Sequence, residues 1–107
     1  MGTIRKASLI ISALTLVFSS AYTFASPGAD TFKARCAPCH GKTGKGDTKM
    51  GQHFRLRDLG STDVQKQSED ELVAIIAKGK GKMPPYGAKL TREQIEDLVK
   101  FIRSLKK

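Results

Sequence analysis

The stretch Cys36-Ala37-Pro38-Cys39-His40 constrains this chain more than any other. Cysteines three apart lie about one helical turn from each other, and a histidine directly after the second can face the same group. That is the spacing for covalent attachment of haem c. Each sulfur adds to one haem vinyl group, and the neutral imidazole of His40 ligates the iron from one face. The porphyrin is rigid, so the spacing has little freedom. Other uses of the two thiols fit worse. A disulfide across two intervening residues closes a very short loop and constrains little of the unfolded chain. A thioredoxin-like pair wants a neighbouring βαβ pattern, and the chain has no period-2 runs of Val, Ile or Thr. Zinc wants two more ligands at a workable spacing, and only His53 stands besides the motif.

A chain of 107 residues bounds the protein to one domain. Residues 1–25 are of a different character from the rest: Arg5 and Lys6 make a positive start, Leu9 to Phe18 a mostly apolar run, and Thr23-Phe24-Ala25 a small-residue ending. This reads as a secretory signal cut after Ala25, which places the protein in the periplasm. The alternative is an uncleaved anchor facing the periplasm, since residues 7–25 approach the roughly 20 that a helix needs to cross a bilayer. Ser12, Thr15, Ser19 and Ser20 dilute that span. Residues 26–107 then form the working domain. Its 82 residues are few for a self-sufficient core, and the haem supplies the missing apolar surface and cross-links. Without haem the chain is expected to be largely unfolded. The formal charge of +9 falls to +7 once Arg5 and Lys6 are set aside, a balance that suits acidic partners rather than, for an exported haem protein, nucleic acid.

Along the domain, Pro27 and Asp30 suit a helix start, and a helix is expected over about Gly28–Cys39. Gly28, Phe32 and Cys36 share one face, and a glycine inside a helix usually marks close approach by a second helix. Residues 41–51, rich in Gly and Lys, read as loop. Beyond it, Gln52, Arg55 and Arg57 are candidate partners for the haem propionates, which need donors or cations when buried. Ser68 and Glu71 make both halves of a capping box before Leu72, Ile75 and Ile76, and Gly79 stops that helix. Thr91 and Gln94 repeat the pattern before Ile95, Leu98, Val99, Ile102 and Leu105, an apolar stripe flanked by Phe101. Between these helices Met83 sits in a loop stiffened by Pro84 and Pro85, which can hold its sulfur toward the iron. Met50 and His53 are rival sixth ligands, but both lie close to His40 in sequence, leaving a short path around the porphyrin edge.

The pentapeptide, Gly28 and Phe32 before it, Lys82-Met83-Pro84-Pro85-Tyr86-Gly87 after it, and Leu98 with Phe101 together resemble a class I monohaem cytochrome c of the small bacterial and cytochrome c6 kind. The resemblance covers essentially all of residues 26–107. It implies an all-α fold in which the N- and C-terminal helices cross, with Gly28 near Leu98 and Phe101, around one covalently bound haem. It also implies thioethers from Cys36 and Cys39, axial iron bonds from His40 and Met83, and no catalysis. The family commonly has a proline after the pentapeptide, near the carbonyl that orients the ligating histidine; here Lys49 stands in that place, and the chain has no tryptophan for the propionates. With both axial positions filled, the protein is expected to be a soluble, monomeric carrier of single electrons. It would dock on acidic surfaces of redox partners, membrane complexes among them, through Lys42, Lys45 and Lys49 in one loop and Lys78, Lys80 and Lys82 in the other. The alternatives are a haem enzyme or a peroxide or gas sensor with a labile Met83, and an electron-entry subunit of a larger oxidase or reductase.

Overall fold

A helix begins at Pro27 because proline has its φ preset for the first turn and lacks an amide hydrogen that the first turn could not use. The structure, a computed structural model, describes residues 2–3, 10–20 and 26–107. Arg5, Lys6, Leu9 and Thr23-Phe24-Ala25, which carry much of the export reading, lie outside the described residues. Helix α1 is Pro27–Arg35 and α2 is Ala37–His40. The sequence suggested one helix to Cys39; instead Cys36 is a junction. Pro38 has no N–H to donate back to Ala34, so the first helix cannot run on through it.

Four more helices follow. Helix α3, Lys49–His53, starts on Thr48, whose Oγ1 accepts from the Gly51 N–H at 2.9 Å, so the expected loop is helical from Lys49 onward. Helix α4 is Thr62–Gln65. Helices α5, Glu69–Lys78, and α6, Arg92–Ser104, each begin with a complete capping box, Ser68 with Glu71 and Thr91 with Gln94. Gly79, with φ +75°, ends α5 as expected. Among the described residues the only β pairing is an isolated bridge between Lys80 and Met83, and the fold is all-α.

The core sits where α1 crosses α6. A Cβ on Gly28 would stand 2.1 Å from the Asp97 carbonyl oxygen and 3.2 Å from the Leu98 amide nitrogen, so only glycine admits the α6 backbone this close. One turn on, the Phe32 and Phe101 rings lie 4.7 Å apart. Phe32, Leu98 and Val99 are fully buried, and Leu72 and Ile76 of α5 and Val64 of α4 join the same cluster. Each such side chain contributes about 1.5–3 kcal/mol by leaving water. Segment 59–67 is tied to α6 through polar groups. Gln65 Nε2 donates to Leu59 O and Ile102 O at 2.9 and 2.8 Å, and Arg103 donates to the carbonyls of Gln65 and Gln67. The apolar run before the domain is not covered by it: Ile10, Ile11, Leu14, Leu16, Val17 and Phe18 are 76–89% exposed.

Candidate cofactor site

The helix crossing leaves one apolar slot beside it. Phe32 of α1, Cys36 and His40, Leu72, Ile75 and Ile76 of α5, Leu98 and Ile102 of α6, and Met83 all line this slot of about 340 Å³. A recess of about 70 Å³ shares Cys36, His40, Phe54, Leu56, Lys82 and Met83 with it and adds Cys39, Pro84 and Tyr86. A mostly apolar cleft of this size with a few convergent donors is the usual form of a cofactor site.

Main-chain bonds aim the pentapeptide. Cys36 N–H donates to Phe32 O at 2.8 Å, and the Cys36 carbonyl accepts from Cys39 N–H and His40 N–H at 3.2 and 2.9 Å. After Gly41 the chain turns back, and Gly46 N–H donates to His40 O at 2.7 Å. Thr48 Oγ1 then donates to Cys39 O at 2.6 Å. At Gly51 a Cβ would fall within 3 Å of both Gly46 O and Cys39 O, so α3 can lie directly on the motif only because that position is bare. The carbonyls of Cys39 and His40 are thereby fixed by one returning loop.

Burial holds the His40 imidazole below its usual pKa of 6.5, which keeps the ring neutral, with a lone pair free for a metal, at pH 7. Its Nδ1 is buried and meets no hydrogen-bond partner among the described residues. Lys49, which stands where the resemblance would put a proline, opens α3. The ring stands beside Phe32, whose centroid lies 6.5 Å away. The Cys36 thiol is pushed up to about 11, chiefly by burial, with the Arg35 charge opposing and Cys39 adding. Cys36 and Cys39 are not joined in a disulfide.

Met83 is held by a clasp. Met83 N–H and Lys80 N–H donate to each other's carbonyls at 2.9 and 3.1 Å around Gly81, and Tyr86 and Gly87 N–H groups donate to Ile76 O and Ala77 O, both at 3.0 Å. Tyr86 Oη reaches across to Arg35 O at 3.3 Å, and burial raises its pKa, so it remains a donor. Of the three sulfur or imidazole candidates for a second axial bond, only Met83 lines the slot. Met50 is 46% exposed on α3, and exposed His53 lies with its ring 5.0 Å from Phe54.

The polar expectations divide. Arg55 and Arg57 line the slot, but Gln52 does not: its Nε2 donates to Asp47 O at 3.3 Å, on the exposed side of α3. A donor side chain in sequence does not say which way its helix turns it. The lysines divide too. Lys80 and Lys82 line the slot, whereas Lys42 lines a groove with Lys33, Ala37 and Pro38, on the other side of α2. Sequence reasoning passed over Thr48, whose position just before a short helix is a capping signal, and Phe54 and Leu56, which carry no signal of their own.

Two thiols, a neutral imidazole and a thioether around an apolar slot are the donor types that haem c uses. Comparison with known proteins agrees. The family model described as cytochrome c oxidase, cbb3-type, subunit III matches residues 24–102. Cytochrome c6 of Microcystis aeruginosa is 33% identical over 75 residues, covering 70% of this chain and 89% of that protein. The cytochrome c subunit of a quinone alcohol dehydrogenase from Gluconacetobacter polyoxogenes is 33% identical over 100 residues, 82% of this chain but only 20% of that longer protein. Among solved structures, the KustC0563 c-type cytochrome superposes with a TM-score of 0.69 at 30% identity, over 75% of this chain and 98% of that one. The chain therefore belongs to the cytochrome c family that this model describes, as a small monohaem class I member with covalently bound haem c, and it is a haem-based electron carrier.

Proposed function

We propose that the protein is an exported carrier of single electrons whose haem is held by thioethers from Cys36 and Cys39 and closed on both axial faces by His40 and Met83. The haem, when bound, supplies the one-electron couple of its iron. The observation that carries the ligand assignment is that Met83 alone among the rival ligands lines the slot shared by Cys36 and His40. The chain's own residues do the rest. Depressed basicity keeps His40 ready as a donor, the clasp from Ile76 to Tyr86 holds the Met83 loop, and Leu72, Ile75, Ile76, Leu98 and Ile102 keep water from the slot. Arg55 and Arg57, which line the slot, would offer donors to the propionates. Lys80 and Lys82 at the slot's rim, with Arg35 at the recess, offer positive charge to an acidic partner.

Residues 26–107 form this domain, and the exposed apolar run before it supports a cleaved export signal and a periplasmic home; among the described residues no helix is long and apolar enough to cross a membrane. Absorption spectra of the purified oxidised and reduced protein test the reading. Low-spin iron with a methionine–iron charge-transfer band, lost in Met83→Ala, is the expected result. High-spin iron that readily binds carbon monoxide in the native ferrous form would overturn it in favour of an enzyme or sensor. The likeness to a dehydrogenase subunit favours a second reading, an electron-entry domain attached to a larger complex; co-purification with partner chains decides between free carrier and subunit.

A further inference from the structure

His40 sits between two peptide planes, and each is held at both of its polar ends. The plane before it donates through His40 N–H to Cys36 O at 2.9 Å and accepts at Cys39 O from Thr48 Oγ1 at 2.6 Å. The plane after it donates through Gly41 N–H to Ala37 O at 2.8 Å and accepts at His40 O from Gly46 N–H at 2.7 Å. Peptide units are rigid, so two planes held in this way fix φ and ψ of the residue between them, and with those the direction of its Cα–Cβ bond. Three of the four anchors come from main-chain groups. The fourth is the Thr48 hydroxyl, which a side-chain substitution can withdraw.

The local sequence brings that hydroxyl into place. Thr48 is the N-cap of α3, with extended backbone at φ −75° and ψ 163°. The lysine that follows does not preset φ as a proline would, so the side-chain cap sets the helix start. Gly51 lets the first turn of α3 press down on the motif, since a Cβ there would stand 2.4 Å from Gly46 O and 2.8 Å from Cys39 O. The Thr48 hydroxyl has one proton, which goes to Cys39 O, while a lone pair accepts Gly51 N–H at 2.9 Å. A helix cap needs only the second of these bonds. The first serves the Cys39–His40 peptide.

We propose that Thr48 is a positioning residue for the iron ligand: by donating to Cys39 O it fixes the orientation in which His40 presents its imidazole to the slot. This rests on His40 being an axial ligand. A neutral hydrogen bond of ordinary net strength favours the held peptide by roughly twofold to twelvefold. Withdrawing it should raise the other orientations of His40 by that factor.

Electron paramagnetic resonance of the ferric holoprotein, whose g values follow the plane of an axial imidazole, separates this role from capping when set beside thermal melting. Thr48→Ser keeps donor and acceptor and should show the single low-spin signal of wild type. Thr48→Val loses both, so it should melt lower and broaden or split that signal. Thr48→Asp is the decisive variant, because an ionised carboxylate caps a helix as a hydroxyl does but has no proton to give. It should melt above Thr48→Val and still show the broadened or split signal. A wild-type signal in Thr48→Asp or Thr48→Val would overturn the proposal and leave Thr48 a cap alone. Wild-type iron without the hyperfine coupling of an axial imidazole nitrogen would overturn the His40 ligation itself, and the proposal with it.

Discussion

Gly28→Ala should be among the most damaging single-methyl changes in this protein. The added Cβ would stand 2.1 Å from the Asp97 carbonyl oxygen and 2.6 Å from its carbon. Both are backbone atoms of α6, which cannot rotate away as a side-chain tip could, so the two helices must part by about an ångström to reach ordinary contact distance. A gap of 0.5–1 Å forfeits about a quarter to a half of the dispersion attraction along an interface. Here that interface holds Phe32 against Phe101 at 4.7 Å and the buried Leu98 and Val99. Overpacking costs roughly 1–3 kcal/mol, the loosened crossing adds about 1 kcal/mol, and the better helix propensity of alanine returns about 1 kcal/mol. The net loss is about 2 kcal/mol, and at roughly 4–8 °C per kcal/mol for a domain of this size the melting temperature should fall by about 8–16 °C. Thermal unfolding of the holoprotein followed by far-UV circular dichroism measures this directly. A variant that melts within 2–3 °C of wild type, on the order of half a kcal/mol, would show that the crossing tolerates a methyl group and refute the close-approach argument.

Thr48→Val keeps the shape but loses both the α3 cap and the bond to Cys39 O, and should cost about 1–2 kcal/mol in thermal melts, with Thr48→Ser recovering most of it. Replacing Cys36 and Cys39 together by serine should leave a chain with little helical circular dichroism at 25 °C, because so small a domain lacks a sufficient core without its haem. Electron-transfer rates with an acidic partner should fall as salt rises; Lys80→Gln with Lys82→Gln should flatten that dependence and Lys42→Gln should not, since only the first pair borders the slot. The Asp58 carboxyl is held below its ordinary 3.8, first by the Lys107 side chain and then by Gly60 N–H. A depressed carboxylate stabilises the fold above its unfolded pKa and loses that contribution as pH falls through the folded value. Asp58→Asn should therefore melt lower than wild type at pH 7, and the two curves of melting temperature against pH should converge below about pH 3.8.

The features legible in the sequence were those with a local chemical signature. Ser68 with Glu71 and Thr91 with Gln94 announced two helix starts, the stripe from Ile95 to Ile102 announced a buried face, and Gly28 announced the crossing. Helices α3 and α4, with five and four residues, are too short to show a period, and α3 lies in a run whose glycines argue for loop. The break at Cys36 follows from Pro38 but competes with a helical pattern on either side of it. Gln52 and Arg55 stand three apart with similar donor chemistry, yet one turns outward to Asp47 O and the other, by a left-handed backbone, lines the slot. The Thr48 bond to Cys39 spans nine residues of aperiodic chain, and no residue pattern announces it.

The slot has one wall on α1, at Phe32, and another on α6, at Leu98 and Ile102, so it exists only after nearly the whole domain has been made. A polypeptide delivered amino end first presents Cys36, Cys39 and His40 about fifty residues before α6 arrives. A domain that does not fold without its haem keeps both thiols open to an attachment enzyme even after α6 has arrived. The slot thus closes only on a chain that already carries its haem, and a circular permutant that placed α6 ahead of the pentapeptide should mature as readily as the natural order.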